Sequence, residues 1–156
     1  MIKIIKVVFV CHGNICRSPM AEFLFKDMVK KKGKEYLFLI ESKATSSEEI
    51  GNSVHYGTKR ILNKLNIDCS GKTASRIIYS DYQNYDYIIG MDEYNIMNLK
   101  RIFNDDKHKI FKLLEFCNIS DDISDPWYTG DFERTYQDIK KGLEAFYDYL
   151  VKKSLL

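Results

Sequence analysis

Apolar residues along this chain fall into short continuous runs that alternate with stretches of helical period. Ile4 to Val10, broken only at Lys6, is β-branched and nearly continuous, as expected of a strand covered on both faces. A polar loop follows, then a helix with Ser18 as its cap, Pro19 at its first position and Met20, Phe23, Leu24 and Met28 on one face. Tyr36 to Ile40 predicts a second strand, Glu41 to Gly51 a loop, and Val54, Thr58, Ile61, Leu62 and Leu65 a helix capped by Asn52 or Ser53. The segment from Asp68 to Tyr82 has no clear period. Tyr85 to Met91 predicts a third strand, and Asp92-Glu93 opens a helix with Ile96, Leu99 and Phe103 on its apolar face. Ile110 to Leu114 predicts a fourth strand and Glu115 to Asp131 a long acidic loop. Phe132, Tyr136, Ile139, Leu143, Phe146 and Leu150, in steps of four and three, mark the closing helix.

Strands alternating with helices require crossover connections, which predict an α/β fold with helices on both faces of a parallel sheet. Ligands of such sheets bind beyond the carboxyl ends of the strands. Cys11, Thr45, Asp92 and the acidic loop each follow a strand, so all are expected on one edge, with Asp125 in reach of Cys11.

The totals add few constraints. At 156 residues the chain is expected to form a single domain over residues 1–156, large enough for a core without staples. A formal charge of +2 is too small to argue for nucleic acid or a membrane as a partner, neither is expected, and no segment has the length of a membrane span. With no cleavage site after the first apolar run, a cytoplasmic location is expected, and the four cysteines are expected to be thiols. No paired Cys/His spacing suggests a metal.

The chemistry concentrates at Cys11-His12-Gly13-Asn14-Ile15-Cys16-Arg17-Ser18-Pro19. A C-x5-R pair carries little by itself; here it spans a strand-loop-helix junction, where backbone N–H groups converge on one point and favour an anion. The same environment favours the thiolate of Cys11, the form that attacks phosphorus, and the planar fork of Arg17 suits two oxygens of a phosphoryl group. The loop lacks G-x-x-x-x-G-K-[ST] and G-x-G-x-x-G, which disfavours nucleotides.

That loop together with Asp125-Pro126-Trp127-Tyr128 resembles the low-molecular-weight protein tyrosine phosphatase family, over essentially the whole chain. The resemblance implies a three-layer α/β/α fold of flavodoxin-like type, with a four-stranded parallel sheet in the order 2-1-3-4 and the phosphate-binding loop after strand 1. It implies a redox-sensitive cysteine hydrolase needing no cofactor and no metal. Cys11 would form a cysteinyl-phosphate while Asp125 protonates the leaving phenolate and then activates water. His12, Gly13, Asn14, Ile15, Cys16 and Ser18 would form the phosphate-binding loop, Asn14 holding its shape and Ser18 stabilising the thiolate. Trp127 and Tyr128 would wall a slot for a phenyl ring, with Glu48 on the opposite wall where animal members often carry an aromatic. Cys16 would protect an oxidised Cys11 as a disulfide. The implied partners are a phosphotyrosine-containing protein or peptide, with phosphate or other oxyanions as inhibitors, acting on a monomer.

The alternatives are an arginine phosphatase or an arsenate reductase of the same fold, or a non-catalytic phosphate-binding module. Ile15 stands where arginine phosphatases of this pattern carry threonine, and Cys69 and Cys117 lack the close spacing of an arsenate-reducing relay. Glu48, Glu49 and Asp131 are expected to favour basic residues beside the phosphotyrosine. Lys72 stands about where some members have histidine.

Overall fold

The first strand dictates the architecture, because its side chains divide between two cores. In the computed structural model, which describes residues 2–156, β1 (Ile5–Cys11) turns Val7, Phe9 and Cys11 into one apolar cluster and Val8 and Val10 into the other. A strand buried on both faces belongs at the centre of a sheet. β1 lies between β2 (Phe38–Ala44) and β3 (Tyr87–Gly90), with β4 (Ile110–Lys112) outside β3. Every pairing is parallel, and the order β2-β1-β3-β4 is the one the resemblance implied.

The larger core lies under α1 (Arg17–Lys31), α2 (Tyr56–Lys64) and α6 (Phe132–Lys152). The smaller one is closed by α4 (Glu93–Ile102), whose Leu99 and following Phe103 meet Val8, Val10, Ile77 and Ile88. α3 (Asp81–Asn84) and α5 (Pro126–Thr129) are single turns. The expected face of α6 is buried except at Tyr136, which packs partly exposed at its edge. No helix is long and apolar enough to cross a membrane among the described residues.

Several local expectations are corrected. The second strand begins at Phe38, after a 3-10 turn at Glu35–Leu37, and runs through Glu41-Ser42-Lys43, which had read as loop. An edge strand need not be apolar, and the buried hydroxyl of Ser42 is bonded to Asn14 and Glu22. α1 starts at Arg17, not after a Ser18 cap, and buries Ala21, Phe25 and Val29 alongside Met20 and Leu24, while Phe23 and Met28 stay partly exposed. α2 is capped by His55, whose Nδ1 accepts the Gly57 N–H at 3.0 Å; Asn52 turns to Glu49, and Ser53 bridges to Thr73. The third strand keeps only four residues and the fourth only three, each ending before the expected limit.

The acidic loop is partly ordered by a 3-10 turn at Leu113–Cys117 and by α5. Ile123 pins it to the sheet edge, fully buried, with its N–H donated to Met91 O at 2.9 Å.

Candidate active site

The loop after β1 turns its carbonyls outward. His12 O accepts the Ser46 N–H, Ile15 O the His55 N–H at 2.8 Å, and Cys16 O the Thr58 hydroxyl at 2.9 Å. No backbone N–H from His12 through Arg17 is donated to an acceptor among the described residues. With the carbonyls engaged elsewhere, these donors, continuous with the N-terminus of α1, form an anion-binding concavity around Cys11.

Asn14 makes this shape possible. Its φ of 59° lies in the left-handed region, which asparagine tolerates better than most residues. The fully buried side chain donates to Ser18 Oγ at 2.8 Å and Ser42 Oγ at 2.9 Å, and accepts the Ser75 N–H at 3.2 Å. Ser42 donates to Glu22 Oε1 at 2.6 Å, and Glu22, itself buried, is paired with Lys26 at 2.6 Å and Lys72 at 3.2 Å. Ser18 contacts the Cys11 thiol twice, through Oγ at 3.1 Å and through its N–H at 3.4 Å. A continuous polar chain therefore supports the sulfur from below.

Arg17 is 2% exposed although it carries a full charge. Its Nη1 donates to Asp92 Oδ2 at 2.6 Å and Ile123 O at 2.8 Å, and Nη2 lies 3.4 Å from Asp125 Oδ2. Burial alone would lower its pKa, but Cys11, Asp92 and Asp125 outweigh burial and raise it. Burial, helped by the nearby Cys11 and Asp125 charges, pushes the Cys16 thiol up to about 12.

Of the expected site residues, Cys11, His12, Gly13, Ile15, Cys16, Arg17, Glu48, Asp125, Trp127 and Tyr128 line one cavity of about 120 Å³. Asn14 and Ser18 lie beneath it as scaffold. A larger groove of about 600 Å³ follows α1 and the outer side of β2, away from the thiol, guanidinium and carboxylate gathered in the smaller cavity. Trp127 is 58% exposed and Tyr128 83%, so both stand up as walls. The Trp127 ring meets His55 edge-on at 5.7 Å, and His55 stacks between Tyr56 and Phe132. His12 Nε2 pairs with Glu48 Oε2 at 2.9 Å across the rim.

Glu49, expected beside the phosphotyrosine, lines the cavity, and three further roles were not foreseen. Asp92 read as a helix opener, and it does cap α4 by accepting the Asn95 N–H on Oδ1; the other oxygen holds Arg17. An acid at the carboxyl end of a central strand was the available signal. His55 and the Ile123 carbonyl act through tertiary packing alone.

The chain matches the model of the low molecular weight phosphotyrosine protein phosphatase family over residues 6–155. It is 39% identical over 153 residues to the low molecular weight protein-tyrosine-phosphatase PtpA of Staphylococcus aureus, covering 97% of each chain. Among solved structures it resembles YfkJ from Bacillus subtilis, at 40% identity and a TM-score of 0.92 over 97% of each chain. SP-PTP, a low molecular weight protein tyrosine phosphatase from Streptococcus pyogenes, is 43% identical with a TM-score of 0.81, over 96% of this chain and 93% of that one.

Proposed function

The chain belongs to the low molecular weight phosphotyrosine protein phosphatase family, and from that premise we propose that it hydrolyses phosphotyrosine in proteins with Cys11 as nucleophile, Arg17 as phosphate clamp and Asp125 as acid and base. The observation that carries this reading is the ring of uncommitted N–H groups around a buried thiol, with a guanidinium and a carboxylate at its mouth.

The phosphoryl oxygens sit on the N–H groups of residues 12–17, and the Arg17 fork grips two of them as negative charge spreads in the transition state. Cys11 Sγ attacks phosphorus, the bond from phosphorus to the phenolic oxygen breaks, and protonated Asp125 gives its proton to the leaving oxygen. Asp125, now a carboxylate, takes a proton from water as that water attacks phosphorus and expels the thiolate. Ser18, donating to sulfur, stabilises the thiolate as attacker and as leaving group. Ile15, Trp127 and Tyr128 supply flat apolar contact for the ring, which favours an aryl ester over a polar guanidinium.

Turnover of p-nitrophenyl phosphate at mildly acidic pH without added metal tests this. Cys11→Ser should abolish it, and Asp125→Asn should lower kcat by about a hundredfold or more, the range for loss of a general acid. Turnover that survives Cys11→Ser overturns the mechanism.

A further inference from the structure

A second cleft, of about 460 Å³, opens on the same edge of the sheet beside the catalytic cavity. His12 and Glu48 line both, so the two share a rim formed by their 2.9 Å pair. The loop from Thr45 to Glu48 makes one side, and Tyr94, Asn98 and Arg101, spaced along one face of α4, make the other with Arg76.

The cleft is basic. Arg76 and Arg101 are both exposed and neither has a carboxylate partner among the described residues. Glu48 is the only acid lining the cleft, and it is held by His12. Arg76 is fixed in place by its backbone bridge to Ala44, where Ala44 donates to Ser75 O at 2.7 Å and accepts the Ile77 N–H at 2.8 Å. Thr45, Ser46 and Ser47 form the cleft wall opposite α4. Two guanidinium forks match a planar carboxylate or a phosphate better than they match any neutral group.

We propose that this cleft binds a second anionic group of the substrate, a phosphate or carboxylate carried within a few residues of the phosphotyrosine. The inference rests on the phosphatase reading above. An extended peptide advances about 3.4 Å per residue, so a side chain two or three positions from the phosphotyrosine reaches a cleft that shares a rim with the catalytic pocket. The acids that had suggested a basic flank are committed elsewhere: Glu48 to His12, Glu49 to Asn52 at 2.6 Å, and Asp131 to the cap of α6, where it accepts the Arg134 N–H at 2.9 Å.

The test compares kcat/KM for phosphotyrosine peptides with alanine, glutamate or phosphoserine placed in turn at each position from one to three residues before and after the phosphotyrosine. Glutamate and phosphoserine should exceed alanine by about three- to tenfold on at least one side, as expected of two solvent-facing charge pairs. The preference should shrink as salt is raised. It should collapse in Arg76→Gln/Arg101→Gln, both exposed positions, with circular dichroism confirming the fold. Equal rates for all flanks, or a preference that survives the double substitution, overturns the inference. Acceleration of the alanine peptide by free phosphoserine would assign the cleft to a free anion and equally overturn a peptide-borne one. Failure of the unaltered enzyme to turn over p-nitrophenyl phosphate, which has no flank, would instead sink the phosphatase reading itself.

Discussion

Asn14→Ala is the sharpest test of how the loop is held. The substitution removes three hydrogen bonds from a fully buried side chain, to Ser18 Oγ, Ser42 Oγ and the Ser75 N–H. Each such bond contributes about 1 kcal/mol net. Holding alanine at a φ of 59° costs roughly another 1 kcal/mol relative to asparagine. The loss is less than the sum, because Ser18 keeps its contact with Cys11, Ser42 keeps Glu22, and Ser75 is exposed enough for water to replace its partner. A destabilisation of about 2–3 kcal/mol is therefore expected, from a total that for such domains is about 5–15 kcal/mol. Urea unfolding reads it directly, and kcat for p-nitrophenyl phosphate should drop at least about tenfold, since transition-state stabilisation depends on the placement of several N–H groups at once. Asn14→Gly divides the two causes: glycine accepts the backbone conformation, so it should recover only the strain share, about 1 kcal/mol. If Asn14→Ala unfolds within about 0.5 kcal/mol of the parent and keeps its kcat, the loop is held by its backbone bonds alone and the reasoning fails.

Further outcomes are expected elsewhere. In Gly57→Ala the new Cβ would lie 2.5 Å from the Phe132 ring, so overpacking of about 1–3 kcal/mol should exceed the helix-propensity gain, and displacement of Phe132 under His55 and Trp127 should raise KM in the same variant. The Cys16 thiol keeps its proton in the folded protein up to about pH 12, while its ordinary value is 9.0. Stability should therefore fall as pH rises between those values, by up to about 1.4 kcal/mol per unit, and urea midpoints of Cys16→Ala should lose that part of the slope. Peroxide should inactivate the parent reversibly with dithiothreitol; equal recovery of Cys16→Ser would remove any protective role for Cys16. Asp92→Asn should weaken inhibition by inorganic phosphate more than tenfold if the charge of Asp92 is what places Arg17, and an unchanged inhibition constant would assign that role to the Ile123 carbonyl.

What was legible in the sequence follows from burial. β1 is apolar on both faces because both faces are covered, and that one run placed the sheet centre, the loop and the reactive edge. α6 was readable because its stripe faces a single core. β2 was misread where it turns polar, since at an edge its Glu41, Ser42 and Lys43 serve partners other than the core: Tyr85, Asn14 and Asp81. His55 as a cap, Asp92 as a clamp and Ile123 as an anchor carried no periodic signal, because each acts through a partner distant in the chain. Arg76 lies in the segment without period and is positioned only by its bridge to Ala44.

The two carboxylates beside Arg17 divide their work by how firmly each is held. Asp92 has neither oxygen free for the pocket, because Oδ2 accepts from Arg17 at 2.6 Å while Oδ1 accepts the Asn95 N–H at 2.7 Å. Asp125 uses Oδ1 to cap the single turn α5 and leaves Oδ2 at 3.4 Å from Arg17, a loose contact on an exposed loop. In the proposed mechanism a phosphoryl group entering the loop would compete for the same guanidinium, and the contact expected to yield is the longer one. Yielding frees an Asp125 oxygen at the mouth of the pocket, where the leaving oxygen emerges, while Nη1 stays fixed to Asp92 and Ile123. In the proposed mechanism the same guanidinium thus stays anchored on one side while substrate exchanges for Asp125 on the other, which would couple phosphate binding to the release of the proposed general acid.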